Sequence, residues 1–106
     1  MNQLKLFVDD TRPVPYGFLL ANSADEAISL CEQHHFEQIS LDFNLGFRKK
    51  TGLDFMKEFI KRGFYVSHIN IHSDDLIGVP YIIEEINLAI IEGKLNKEMM
   101  ITRISY

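Results

Sequence analysis

The chain has 106 residues and a mass of 12.3 kDa, with 46% hydrophobic residues, which suits a single domain spanning residues 1–106 with an ordinary core. Its 11 basic and 15 acidic residues give a formal charge of -4, which excludes a general basic face that would hold a long nucleic acid by its phosphates. Neither a basic segment followed by an apolar stretch nor an apolar run near the roughly 20 residues that cross a bilayer is present, so we expect a cytoplasmic protein without membrane contact.

The first two strands are predicted at residues 4–8, which end at Asp9 and Asp10, and at residues 18–21. About eight residues rich in proline join them, which is too few for a crossover helix. At about 3.3 Å per residue, an extended segment could just return along a five-residue strand. The sequence therefore predicts two parallel strands without the helix that usually separates them.

A helix is predicted to follow Ser23, because Ser23 and Glu26 have the spacing of a capping box. Cys31, the only cysteine, falls on the apolar face of this helix and is interpreted as a small core residue in a reducing compartment. A third strand is predicted at residues 38–42, where it ends at Asp42.

The second half of the chain repeats the alternation of helix and strand. Helices are predicted from Thr51 to Gly63 and, with Pro80 in its first turn, up to Gly93, and strands at residues 68–72 and 99–105. The predicted order is ββαβαβαβ, an open five-stranded, mainly parallel α/β sheet that lacks its first crossover helix and a final helix. Those two helices would cover the same face of the sheet, so that face is predicted to be bare.

Two of the strands alternate apolar and polar residues, whereas parallel strands covered on both faces are apolar throughout. Three explanations remain open for the polar stripe: a solvated face, a homodimer interface, or a substrate surface that leads to the acidic edge. Its members are Gln38, Ser40, Asp42, His68, Asn70 and His72.

The carboxyl ends of three predicted strands carry polar residues that should meet at one edge, because open α/β sheets bind ligands there. Asp9, Asp10 and Asp42 would repel one another unless a cation binds or one carboxylate takes up a proton. Oxygen ligands favour Mg²⁺ or Mn²⁺ over zinc, and the open water positions of Mg²⁺ can accept a phosphate. We therefore predict a divalent cation at this edge.

Three further residues near this edge are candidates for contact with a phosphate. Arg12 could offer a planar fork to the phosphate or remain a solvated loop cation. His72 could act as a general acid or base, or be a hydrogen-bonded structural residue. Ser73 could donate to a phosphate oxygen, although a turn with Asp74 and Asp75 is the simpler interpretation.

Several stretches of the chain resemble the cyclic-phosphate processing receiver-like domains, small relatives of the response-regulator receiver fold, and the resemblance covers nearly the whole chain. It implies a flavodoxin-like or receiver-like fold and hydrolytic processing of cyclic phosphate ends. This chain departs from the family pattern, with Phe43 at the usual histidine and Asn44 at the usual second aspartate. The stretches are Leu6-Phe7-Val8-Asp9-Asp10-Thr11-Arg12-Pro13, Ile39-Ser40-Leu41-Asp42-Phe43-Asn44-Leu45-Gly46, Thr51-Gly52 and Ile71-His72-Ser73.

Signalling receivers offer a second comparison. Their acidic pair matches Asp9 and Asp10, their phosphoacceptor matches Asp42, and the resemblance implies that the main-chain carbonyl of Asn44 serves as a metal ligand. The lysine and proline that follow the last strand of those receivers are replaced by Thr102-Arg103-Ile104. Phosphorelay is therefore the weaker interpretation.

The sequence as a whole predicts metal-assisted phosphoester processing, with a phosphate-bearing small molecule or a nucleic-acid end as the partner. Asp9, Asp10, Asp42 and Asn44 would hold Mg²⁺ or Mn²⁺, and the catalytic candidates would be His72, Arg12 and Ser73. Two alternatives stay open: a non-catalytic binding or scaffolding domain, and a phosphoacceptor switch at Asp42. A homodimer through the bare sheet face is a further expectation.

Overall fold

The structure is a computed structural model that describes residues 3–106, and its elements follow the predicted order ββαβαβαβ. The elements are β1 (Lys5–Val8), β2 (Phe18–Ala21), α1 (Ala24–Gln33), β3 (Gln38–Leu41), α2 (Gly52–Lys61), β4 (His68–Ile71), α3 (Gly78–Ile91) and β5 (Met100–Thr102).

The five strands form one sheet in the order β2-β1-β3-β4-β5, and every neighbouring pair is parallel. The prediction of a flavodoxin-like or receiver-like sheet is thus confirmed. Residues 9–17 join β1 to β2 without a helix, as predicted. Within residues 3–106 no helix follows β5, and none of the helices is long and apolar enough to cross a membrane.

Helix starts agree with the predicted positions, but one cap differs. At α1, the Ser23 hydroxyl accepts from the N–H of Glu26, while the Glu26 carboxylate accepts from the N–H of Asn22 rather than from that of Ser23. The reciprocal capping box lies instead at α2, between Thr51 and Asp54.

The start of α3 uses a residue that precedes the helix. No side chain at its N-cap makes a capping hydrogen bond. The Asp75 carboxylate, three residues before Gly78, accepts from the N–H groups of Ile77 and Gly78 and so satisfies two of the donors that an α-helix leaves free.

The three helices form one layer, because α2 packs against both α1 and α3. Alternate residues of β1, β3 and β4 point into the core beneath this layer, and none has measurable exposure. This spacing of two follows from the pleat of a strand. The residues are Leu6, Val8, Ile39, Leu41, Ile69 and Ile71.

The opposite face has no helix within the described residues, but it is not bare. Residues 103–106 leave β5 and cross this face, where the Asn70 side chain bonds both the N–H and the carbonyl of Ile104. The Tyr106 ring lies edge-on to Phe7 and Phe18. The explanation of the polar stripe as a solvated face is therefore wrong for Ser40 and Asn70, which have no exposed surface.

Candidate functional site

Asp9 is the best-anchored residue at the carboxyl edge of the sheet. Its side chain has no exposed surface, although it carries a charge. Oδ1 accepts from the N–H groups of Thr11 at 2.8 Å and Arg12 at 3.0 Å. Oδ2 accepts from Nη1 of Arg12 at 2.8 Å and contacts Nε2 of His72 at 2.9 Å. The loop after β1 therefore folds back on its own first residue.

Arg12 joins this buried carboxylate to two others. Its Nη1 also lies 3.1 Å from Oδ2 of Asp42, at the end of β3, and its Nη2 lies 3.2 Å from Oδ2 of Asp74. Asp42 is nearly buried, whereas the Asp74 side chain is 87% exposed. A single guanidinium thus contacts carboxylates from the ends of three strands.

His72 is held behind Asp9 by a directional chain of hydrogen bonds. Asn70 donates its side-chain N–H to the Ser40 hydroxyl at 3.0 Å, and that hydroxyl lies 2.7 Å from Nδ1 of His72. Nε2 lies against the Asp9 carboxylate, which can only accept, so the proton of a neutral His72 is on Nε2 and is donated to Asp9. Nδ1 is then the acceptor, and the Ser40 hydroxyl donates to it.

The His72 ring is also fixed by packing. It stacks on Phe7 with a centroid separation of 4.4 Å and an interplanar angle of 6°, and its side chain has no exposed surface. In this position its Nε2 contacts Asp9.

The burial of this pair changes both pKa values. Burial alone would raise the pKa of Asp9, but the backbone hydrogen bonds from Arg12 and Thr11, together with the Arg12 and His72 side chains, hold it well below its usual range. The pKa of His72 is lowered, because burial outweighs its attraction to Asp9. Both groups therefore favour a carboxylate beside a neutral imidazole.

An open cleft of about 600 Å³ lies outside these residues. Asp10 is exposed on its wall, and Arg12 and Asp42 also face it. The side chain of Asn44 lines the cleft while its Oδ1 accepts from the N–H of Gly46. The Ser73 hydroxyl accepts from the N–H of Asp75, which is the turn contact that the sequence suggested.

Phe43, which the family resemblance aligns with a histidine, packs against Gly78 and the hydrophobic core. Its ring lies so close to Gly78 that a Cβ at that position would be 2.4 Å from the ring carbons. Gly52 also has no room for a side chain, since a Cβ there would be 2.1 Å from the carbonyl oxygen of Asp42. The two glycines let α2 and α3 approach the loop that follows β3.

The donor set suits a hard divalent cation. Ligand atoms of Asp9, Asp42 and His72 lie within 4.8 Å of one another. Since His72 presents an N–H to Asp9, the carboxylates of Asp9 and Asp42 are the ligands of this group that remain, while Asp10 lies outside the group and lines the cleft together with Asp42. Mg²⁺ or Mn²⁺ accepts carboxylate oxygens with water completing the shell. The guanidinium of Arg12 already contacts two of these carboxylates.

Most of the predicted residues meet around one cleft, but four contributors were missed. The sequence pattern places Ser40 and Asn70 in a polar stripe, Phe7 only in a strand and Asp74 in a turn, whereas the structure gives each a contact in the site. The alternation of β3 and β4 contained a signal for the first two, because Ser40 and Asn70 share a face with His72. Nothing in the local pattern indicates that Asp74 bonds Arg12.

Comparison with known proteins gives the same fold and one family. A receiver domain protein (CheY-like) from Methanospirillum hungatei JF-1 superposes with a TM-score of 0.60 at 16% identity, over 80% of this chain and 76% of that one. The signal receiver domain of an HD domain-containing protein from Pseudomonas fluorescens Pf-5 gives a TM-score of 0.54 at 16% identity, over 99% and 82%. At this identity the two structures support the fold alone.

No curated protein matches the chain. The family described as the cyclic-phosphate processing receiver domain matches residues 4–87, a span that includes Asp9, Arg12, Asp42 and His72. The chain therefore belongs to the cyclic-phosphate processing receiver domain family.

Proposed function

We propose that the protein is a metal-assisted phosphoesterase that acts on cyclic phosphate ends of nucleotides or nucleic acid. The observation that carries this proposal is the joining of Asp9 and Asp42, from two strand ends, by the Arg12 guanidinium, which lines an open cleft together with Asp42. A cleft of about 600 Å³ can accept a nucleotide end, since small-molecule sites are commonly of this size. Membership of the family supports the same substrate class.

The roles follow from the contacts of each side chain. Asp9, Asp10 and Asp42 would hold Mg²⁺ or Mn²⁺, with the Asn44 carbonyl as a further candidate ligand. The bound cation would polarise a phosphoryl oxygen and lower the pKa of a water molecule. Arg12, which lines the cleft with 28% of its side chain exposed, would bind phosphate oxygens.

His72 and Ser73 have more limited roles in this proposal. The buried His72 ring keeps the Asp9 carboxylate in one orientation through its Nε2–H. Ser73 shapes the loop after β4, since its hydroxyl bonds the N–H of Asp75 and its carbonyl accepts from Arg103. A water in the cleft, rather than a buried imidazole, would then exchange protons with the leaving group.

Activity is tested with a panel of 2′,3′-cyclic nucleotides and oligonucleotides that end in a cyclic phosphate, with Mg²⁺ or Mn²⁺. We expect turnover by the wild type, loss of at least about 100-fold in Asp42→Asn, and no change in Asp25→Asn. Asp25 is the matched control because it is an exposed carboxylate that pairs with Lys50 outside the cleft. Equal turnover by Asp42→Asn and the wild type would contradict the proposal.

A non-catalytic binding domain is the second candidate, and the packing of Phe43 favours it. The family's histidine at this position is replaced by a ring that contacts Gly78 and supplies no proton. In this case the wild type binds Mn²⁺ and phosphate-bearing ends but produces no hydrolysis product, which the same panel would reveal.

A phosphoacceptor switch at Asp42 is the third candidate, because Asp42 lines the cleft at the end of β3. Treatment with a small phosphodonor and Mg²⁺ would then add one phosphoryl group to the wild type. Mass spectrometry would detect the adduct, and its persistence in Asp42→Asn would exclude Asp42 as the acceptor.

A further inference from the structure

The Arg12 guanidinium lies where a bound cation would balance the carboxylates. Nη1 is 2.8 Å from Oδ2 of Asp9 and 3.1 Å from Oδ2 of Asp42. A metal ion held by Asp9 and Asp42 would compete with the guanidinium for these carboxylates. Since two cations at the same oxygens would repel each other at short range, a divalent cation and Nη1 of Arg12 exclude each other there.

The three contacts of Arg12 differ in how firmly they are held. Asp9 is fully buried and is kept in place by backbone N–H groups from Thr11 and from Arg12 itself, so the carboxylate does not depend on the guanidinium for its position. Asp74 is 87% exposed, and an exposed ion pair contributes little. The backbone hydrogen bonds that hold the loop after β1 on Asp9 therefore do not require the guanidinium.

The charge of the cleft gives a reason for such an exchange. Asp10, Asp42, Asp74 and Asp75 line it, and among the described residues on its wall Arg12 is the one cationic side chain. A phosphate that enters while Arg12 is bound to carboxylates meets an excess of negative charge and no free fork of N–H donors. A divalent cation changes both conditions, because it neutralises the carboxylates and releases the guanidinium.

We infer that Arg12 is an exchangeable counter-ion that makes phosphate binding depend on prior metal binding. Arg12 leaves Asp9 and Asp42 when a divalent cation enters, and its fork then binds the phosphate of the ligand. Metal and phosphate thus bind in that order and with positive coupling, and Arg12 carries the coupling. This inference rests on the proposed metal-assisted function and adds the order of binding and the residue that determines it.

The first arm of the test measures Mn²⁺ binding by electron paramagnetic resonance, without any other ligand. Arg12→Ala should bind Mn²⁺ about tenfold more tightly than the wild type, because the competing cation is gone. Arg62→Ala is the matched control, since Arg62 is an exposed arginine that pairs with Glu58 and Glu32 outside the cleft. It should bind Mn²⁺ as the wild type does.

The second arm measures the binding of inorganic phosphate by calorimetry, with and without Mg²⁺. The wild type should bind phosphate at least about tenfold more tightly with Mg²⁺, whereas Arg12→Ala should lose most of this difference. Arg12→Lys keeps the charge but not the planar fork, so it should bind Mn²⁺ nearly as the wild type does and show weaker coupling. This second variant gives the answer if Arg12→Ala does not fold.

The outcomes separate this inference from the function on which it rests. If the wild type binds Mn²⁺ and Arg12→Ala binds it no more tightly, the inference is wrong while the metal site stands. Unchanged phosphate coupling in Arg12→Lys also overturns it. If neither the wild type nor Arg12→Ala binds Mn²⁺, the proposed metal-assisted function itself fails.

Discussion

Ser40→Ala tests the hydrogen-bond chain behind the site. The Ser40 hydroxyl donates to Nδ1 of His72 and accepts from the side-chain N–H of Asn70, and all three residues are buried. Its removal leaves two buried polar groups without those partners, and each costs about 1–3 kcal/mol. Because the Asn70 amide keeps its bond to the Ile104 carbonyl, we expect the free energy of unfolding to fall by the lower part of that sum, about 2–4 kcal/mol. Domains of this size are typically stable by only about 5–15 kcal/mol.

Urea denaturation followed by far-ultraviolet circular dichroism measures this loss. The midpoint should fall by roughly 1–2 M, since small domains lose about 1–3 kcal/mol per molar urea. Ser29→Ala is the matched control, because Ser29 is an exposed serine of α1 that accepts only a long bond from Gln33, and it should cost less than about 0.5 kcal/mol. A loss below about 0.5 kcal/mol in Ser40→Ala, the size expected of a surface substitution, would refute the reasoning.

The same chain makes a spectroscopic prediction. Long-range ¹H–¹⁵N correlation spectra should show the proton of His72 on Nε2, as the donor directions require. A proton found on Nδ1 of the wild type would mean that the Ser40 hydroxyl accepts from His72, and the proposed orientation of the chain would be wrong.

Three further measurements test the surrounding structure. The pKa of His72 is lowered in the folded state, so the unfolded chain takes up a proton at a higher pH than the folded chain, and the free energy of unfolding should fall as the pH drops through about 6.5. Urea titrations at several pH values measure this dependence, and His72→Gln should remove the part that His72 contributes. Gly52→Ala should cost at least about 2 kcal/mol and weaken Mn²⁺ binding, because its Cβ would be 2.1 Å from the Asp42 carbonyl oxygen; calorimetry measures both effects. Burial raises the pKa of Cys31 to about 12, so iodoacetamide at pH 8 should label the folded protein at least about 100-fold more slowly than the protein in urea.

The sequence was sufficient to predict the meeting of Asp9 and Asp42, because parallel strands send their carboxyl ends to one edge and each aspartate directly follows a strand. It was also sufficient to place Arg12 near them, since only two residues separate it from Asp9. The contact between Arg12 and Asp74 depends on the path of the loop after β4, which no periodic pattern specifies.

The burial of the polar stripe was not predictable for a related reason. The alternation of apolar and polar residues correctly places Ser40 and Asn70 on one face of the sheet. Whether that face is exposed to solvent depends on residues 103–106, which cover it. Their sequence extends the pattern of a strand, which is why the last strand was predicted to reach residue 105. The structure ends β5 at Thr102 because Arg103 bonds the carbonyls of Ile71 and Ser73 and the chain then crosses the sheet.

The buried contact between Ser40 and Asn70 also limits how the sheet can assemble. Ser40 pairs in register with Asn70, so a slip of β4 by one residue would turn Asn70 into the apolar core and Ile69 onto the polar face. Apolar residues in both strands would tolerate such a slip more readily, whereas a buried amide that must find its hydroxyl makes the misaligned sheet costly. The hydrogen bond between Ser40 and Asn70 therefore favours the native register of β3 and β4, and only in this register do the residues that follow the two strands lie side by side at the edge of the sheet.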